Sequence, residues 1–291
     1  MIKSRGTKIG DWIIAFICLI LILICLLPIV NVAARSLSSA TALVRNQVTL
    51  WPVELNFSAY ETVLGDAKYI RSLGWTAILT GICTVVSMFM TIICAYPLTY
   101  DNLKGRNFFN ILIILTMYFS AGAIPNYLLM KDLQLLNNPL VLIIPNCLSV
   151  FNMIVMRSFF YGIPESLRES AELDGAGPIR VLISIYLPLS TSVLATLSLF
   201  YAVGRWNGFS DALMYMSTNR DYYPIQLFLY NILNSVSSIE VSTQEGFASM
   251  PGLSETLKAA TVMIATLPIL VLYPWLQRYF ISGITIGAVK G

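Results

Sequence analysis

No histidine occurs in the 291 residues. That absence removes the commonest metal ligand, the usual general base near neutral pH and the usual proton switch together. Charge is scarce as well. Asp, Glu, Lys and Arg make up 11% of the chain, against about 25% in an ordinary soluble domain. The net charge of +3 is too small to mark a nucleic-acid binder. No Gly-Lys dipeptide exists, so there is no Walker A loop to cradle nucleotide phosphates, and ATP hydrolysis by that route is excluded. There is no Gly-x-Ser-x-Gly element either. With no acid pair inside an apolar stretch, an intramembrane enzyme would lack its nucleophile and base. Cysteine is limited to Cys18, Cys25, Cys83, Cys94 and Cys147, all within apolar runs. These read as small buried hydrophobes, not as a disulfide frame or metal site.

What is abundant is apolar sequence: 57% of residues, with a mean hydropathy of +0.74. The chain reads as an all-α, multi-pass membrane protein. Six spans are expected, at about 12–34, 74–98, 108–130, 139–160, 188–203 and 259–280. The first follows Lys3, Arg5 and Lys8. Its run from Trp12 to Val32 is longer than a signal-peptide core of about 7–15 residues and is read as a retained span. With six spans the termini share a side. That side holds ten Lys and Arg, including Lys104, Arg106, Arg157, Arg168 and Arg180, and the other holds eight. The concentration in short segments places both termini in the cytoplasm of a cell-membrane protein. Trp12, Trp51, Trp75, Trp206 and Trp275 fall at span ends or in loops, as interfacial rings do.

Residues 161–187 form a charged island between the fourth and fifth spans. Pro164-Glu165 is a helix start, with proline and an acid at the N-terminus. Glu165 with Arg168, and Arg168 with Glu172, have the three- and four-residue spacing of helical ion pairs. Asp174-Gly175 is a helix stop that uses the left-handed freedom of glycine. Gly177-Pro178 starts an apolar return helix carrying Ile179, Val181, Leu182, Ile183 and Ile185. Ser166, Ser170 and Ala171 give the first helix a small-residue surface on which another body can dock; the alternative is a plain solvated connection. No span core carries an ionisable residue, which disfavours an ion- or proton-driven transporter. A passive channel or membrane scaffold remains open, as does a subunit driven by a partner gripping this island.

The pattern Glu169, Ala171, Gly175, Ile185, Leu187 and Pro188 resembles the cytoplasmic signature of permease subunits of binding-protein-dependent ABC importers. Ser170 stands where that family usually has alanine, and Ser192 where it often has proline. Asp174-Gly175-Ala176, the Arg205-Trp206-Asn207 element and the ending from Gly283 to Gly291 resemble the carbohydrate, maltose-type branch, and within it the polysaccharide and complex-oligosaccharide permeases. The resemblance implies a six-helix type I importer permease fold. An N-terminal tail and first helix (1–35) would precede a five-helix core (72–291) that includes the coupling loop. It implies a related second permease, two cytoplasmic ATPase subunits that use ATP and magnesium, an extracytoplasmic solute-binding protein and a sugar cargo. No cofactor would be bound by this chain and no reaction catalysed by it. ATPase coupling would fall to Glu169, Ser170, Ala171, Asp174, Gly175 and Ala176.

Sugars are read by amides, hydroxyls and aromatic faces. The candidates for the path are therefore Ser120, Asn126 and Tyr127 in the third span, Asn146, Ser149 and Asn152 in the fourth, Tyr201 in the fifth, and Trp206 and Asn207 near its end. The asparagines equally suit interhelical hydrogen bonding, and Trp206 equally suits an interfacial belt.

Overall fold

The computed structural model describes residues 5–235 and 255–271. Among these the regular structure is helical. The helices are α1 (Arg5–Ser36), α2 (Ala40–Val44), α3 (Ser58–Gly65), α4 (Ala67–Ala95), α5 (Arg106–Tyr118), α6 (Ala123–Asp132), α7 (Val150–Tyr161), α8 (Glu165–Leu173) and α9 (Pro178–Val181). After them come α10 (Leu187–Leu189), α11 (Thr191–Asn207), α12 (Ser210–Tyr215), α13 (Ile225–Ser235) and α14 (255–271). The chain divides into two compact units. One takes residues 1–70 and 229–267, the other 71–228 and 268–291.

In the first unit, α1 is one continuous helix of 32 residues with an apolar middle, about 48 Å at 1.5 Å per residue. Its most apolar stretch is fully exposed within the chain, which water would not tolerate and lipid or another helix would. The segment after α1 is stitched by its own side chains. Ser39 N–H donates to the Val53 carbonyl at 3.2 Å and Asn56 N–H to that of Leu37 at 2.9 Å. The Glu54 carboxylate accepts the hydroxyls of Ser39 and Thr41 at 2.5 and 3.2 Å, and these hold its pKa below the usual carboxylate range. Tyr69, 1% exposed, donates its hydroxyl to the Thr261 carbonyl at 3.0 Å, and Arg35 pairs with Glu255.

The second unit holds two cores. Met88, Ala95 and Tyr96 meet Met153, Met156 and Phe160 of α7, Val181 and Tyr186 of the return segment, and Val193 and Leu197 of α11. Leu79 and Cys83 meet Met130, Val141, Leu142, Ala212, Met216 and Leu227.

Of the six expected spans, two are single helices and two are bent helix pairs among the described residues. Residues Gly10–Ser36 and Ala67–Thr99 are each long and apolar enough to cross a bilayer. The third segment is broken: α5 and α6 are bent by 114° at a linker containing Gly122, whose φ is +89°. The fourth is a short 3-10 turn at Pro139–Leu142, an irregular stretch through Pro145, and then α7. The fifth begins earlier than Pro188, since helix already runs from Pro178 to Leu189 before turning by 84° into α11. The ten residues 178–187 read in sequence as a return helix of the charged island, because the glycine turn and Arg180 set them apart from the fifth span. Of the sixth segment, 259–271 is helical, and 272–280 lies outside the described residues, as does the ending from Gly283.

The return helix contains a π turn at Leu182–Tyr186, marked by Leu187 N–H donating to the Leu182 carbonyl five residues back. Pro188 follows directly. Proline lacks an N–H and crowds the carbonyl four residues earlier, and a widened turn relieves that crowding.

Leu197 is completely buried and Ile111 is 64% exposed. Leu197→Ala is expected to lower the stability of the purified protein by about 2–5 kcal/mol, and Ile111→Ala to stay within about 0.5 kcal/mol. Denaturant melts followed by tryptophan fluorescence measure both.

Candidate functional site: an exposed loop and a polar cavity

The charged island folds as the spacing predicts. α8 has no buried residue. Its end is a Schellman motif: Ala176 N–H donates to the Ala171 carbonyl at 2.9 Å and Gly175 N–H to that of Glu172 at 3.0 Å, with Gly175 at φ +82°. Beyond its chain neighbours, no atom of the described residues lies within 4 Å of the place a Gly175 side chain would take, so backbone conformation and not space demands glycine here. Arg168 pairs with Glu165, and its Nε lies 3.9 Å from Glu172. Its guanidinium sits 4.7 Å above the centre of the Tyr100 ring and its side chain is 14% exposed.

Tyr100 belongs to a larger aromatic platform. Tyr96 and Tyr100 hydroxyls are 2.5 Å apart, and the Tyr96 hydroxyl donates to the Pro178 carbonyl at 2.9 Å. Tyr96, Phe160 and Tyr186 meet edge to face. The exposed α8 is thereby seated on the end of α4 and the start of α9.

Of the expected small-residue surface, Ser166 and Ser170 are exposed and Ala171 is half-buried. Ala171 and Ala176 turn toward the first core, because the Arg168 anchor rotates that side of α8 inward. Glu169, Ser170, Asp174 and Gly175 remain exposed. They are joined by Leu173, 89% exposed, and Ile179, 73% exposed. Leu173 is not singled out by the sequence and Ile179 reads there as part of an apolar return helix, because leucine and isoleucine beside spans look like core.

The second feature is a cavity of about 630 Å³ between α4, α7, α11 and α12. It gathers Asn146, Ser149, Asn152 and Tyr201 from the sequence candidates, together with Phe200, Arg205 and Asp211. The Tyr201 hydroxyl lies 2.7 Å from that of Thr91 and accepts Ser149 N–H at 3.1 Å. The other candidates stand elsewhere. Ser120 and Asn126 are exposed away from the cavity, with Ser120 Oγ accepting Gly122 N–H at 3.3 Å. Tyr127 stacks on Tyr215 with ring centres 6.3 Å apart. Asn207 returns its amide to the Val203 carbonyl at 3.0 Å. Trp206 is 9% exposed, so within the chain it is a packing residue and not a belt ring.

Sequence reasoning missed the most polar element of the cavity. Arg205, taken for a charge on the loop side of its span, is buried. It donates to Asp211 at 2.5 and 3.1 Å, to the Leu142 carbonyl at 3.2 Å and to the Gly208 carbonyl at 3.2 Å. The signal was a lone acid six residues after an arginine at the end of an apolar run. With Gly208 between them, the chain can double back and pair the two.

Residues 77–286 match the family described as binding-protein-dependent transport system inner membrane component. The chain belongs to this family. It is 36% identical over 284 residues to the polygalacturonan/rhamnogalacturonan transport system permease protein YtcP of Bacillus subtilis strain 168, covering 98% of this chain and 99% of that one. It is 38% identical over 270 residues to protein LplC of the same organism, covering 92% and 90%. A solved bacterial ABC transporter involved in the import of the acidic polysaccharide alginate contains a chain that superposes with a TM-score of 0.87 at 33% identity, covering 96% of this chain and 99% of that one. The expected all-α importer permease fold is thus borne out. As a permease subunit the chain moves solute and carries out no bond chemistry of its own.

Asp211→Ala strands a buried guanidinium and is expected to cost about 3–5 kcal/mol, and the Arg205→Met, Asp211→Leu pair recovers only part of that loss, because the Leu142 and Gly208 carbonyls lose their donor. The melting temperatures of the two purified variants test the difference.

Proposed function

We propose that this inner-membrane permease carries oligosaccharide or polysaccharide fragments into the cell, driven by two cytoplasmic ATPase subunits that grip the loop at 165–176. The observation carrying this reading is α8 itself: a polar helix with no buried residue, closed by a left-handed glycine and mounted on an aromatic platform. Exposure of Leu173 and Ile179 beside Glu169 and Asp174 gives a partner both apolar and acidic purchase. Arg168 on Tyr100 ties the gripped helix to the end of α4, so a pull on the loop reaches the membrane helices.

The family's dependence on binding proteins supports an extracytoplasmic solute-binding protein as the source of cargo. Relatives whose printed roles are polygalacturonan/rhamnogalacturonan transport and arabinooligosaccharide transport support a saccharide. The bare apolar length of α1 and the fully unburied α5 suit lipid and a second permease subunit. In this reading both termini and α8 lie in the cytoplasm, residues 1–35 form a peripheral tail and helix, and 72–291 form the permease core. Asn146, Ser149 and Asn152 face the sugar, and Ser120, Asn126, Tyr127, Trp206 and Asn207 contribute at most to other stages of the path.

Glu169→Lys is expected to reduce ATP-driven uptake of a mixed galacto- and galacturono-oligosaccharide pool more than tenfold while leaving membrane insertion intact. Uptake at the wild-type rate overturns the coupling role. Gly175→Val is expected to uncouple in the same way, since a β-branched residue resists positive φ. Gly175→Asn, which tolerates that conformation, is expected to retain most activity. Equal loss in both shows that the turn is not what matters.

A further inference from the structure

Both charges in the cavity are consumed by each other. A guanidinium has five N–H groups. In Arg205, Nη1 serves Asp211 and the Leu142 carbonyl, and Nη2 serves Asp211 and the Gly208 carbonyl. Only Nε–H has no partner. Asp211 is saturated too. Beyond Arg205, its Oδ1 accepts its neighbour Ala212 N–H at 2.9 Å and its Oδ2 accepts the Asn146 amide at 3.1 Å. The pair presents no net charge to a ligand and has no carboxylate lone pair to spare.

What the cavity leaves open is neutral. Asn152 is 5% exposed and lines the space, yet its side-chain amide has no hydrogen-bond partner among the described residues. That amide opens its donor and acceptor positions to whatever fills the cavity, which does best by satisfying both. Next to it, Ser149 Oγ accepts Asn152 N–H at 3.4 Å, leaving the Ser149 hydroxyl proton to donate. The rings of Phe200 and Tyr201 supply apolar wall. The volume of about 630 Å³ falls in the range of about 300–1,000 Å³ found for small-molecule sites.

We infer that this cavity is a subsite for an uncharged sugar ring and discriminates against a uronate at the same position. The inference rests on the reading of Asn152 and Ser149 as path residues given above. A sugar hydroxyl donates and accepts, and so does a carboxamide, so the two satisfy each other. A carboxylate only accepts. Placed here it would face Asp211, find one leftover N–H on a guanidinium already neutralised, and leave the acceptor half of Asn152 empty. An incompletely compensated buried charge is the costlier ligand.

The test uses the assembled transporter in lipid nanodiscs without its binding protein, at 150 mM salt. Equilibrium binding of galactotriose and of trigalacturonate is measured by saturation-transfer NMR. Galactotriose is expected to bind at least tenfold more tightly than trigalacturonate. Asn152→Leu is expected to weaken galactotriose at least tenfold, and Asn152→Asp, which keeps the shape, to weaken trigalacturonate further while retaining galactotriose. Assembly of each variant is checked by gel filtration. Trigalacturonate binding as tightly as galactotriose, with both weakened by Asn152→Leu, overturns the neutral-ring inference and leaves the path reading standing. Binding of both probes unchanged in both variants overturns the path reading as well. No saturable binding of either probe up to 50 mM overturns the subsite.

Discussion

A peptide group that leaves its helix in an apolar setting must find a partner nearby, and the core unit is organised around that demand. Its apolar segments are repeatedly interrupted, and several of the interruptions are stitched by a side chain. Arg205 takes the carbonyl of Leu142 at the end of one break and that of Gly208 at the end of another. Tyr201 accepts the N–H of Ser149, Thr76 accepts that of Ile225 at 2.7 Å, and Asn137 accepts those of Ser217 and Thr218 at 2.8 and 2.9 Å. The breaks are what open a polar cavity in an otherwise greasy molecule. The stitches keep that cavity from being a defect.

The same economy governs the exposed loop. α8 has no fully buried residue, so its position depends on a few contacts, Ala171 against the first core and Arg168 over Tyr100 among them. Arg168 also pairs with acids on its own helix. Tyr100 shares a hydrogen bond with Tyr96, and Tyr96 holds the first carbonyl of the return helix. A helix held this way presents its outer face to a partner without that partner having to order it, which lowers the entropic cost of association.

Much of this was legible in the residues. The glycine at 175, the proline starts and the helical ion pairs are local signals, and local geometry obeyed them. The apolar segments announced their existence through hydropathy. Their interiors stayed hidden, because hydropathy averages over a window while a bend depends on one residue. Gly122, Pro145 and Ser190 are single positions in long apolar runs. The candidate path divided for a related reason. Asn146, Ser149, Asn152 and Tyr201 converge through folding of distant segments, whereas Ser120, Asn126 and Tyr127 have the same chemistry and are carried elsewhere by the 114° turn between α5 and α6. The Arg205–Asp211 pair was out of reach for the opposite reason. Charges beside a span end are normally solvated, and only tertiary structure shows this pair to be covered.

The π turn at Leu182–Tyr186 has a bearing on how such chains diverge. One additional residue is accommodated there without lengthening the helix by a turn. Removing it would restore ordinary winding and rotate everything on the loop side by about 100° relative to α11. Glu169 and Leu173 would then aim at a different quadrant. The angular setting between α8 and the bundle is therefore stored as a whole-number residue count, and drift by insertion or deletion in this short segment would be felt as misalignment long before it was felt as unfolding.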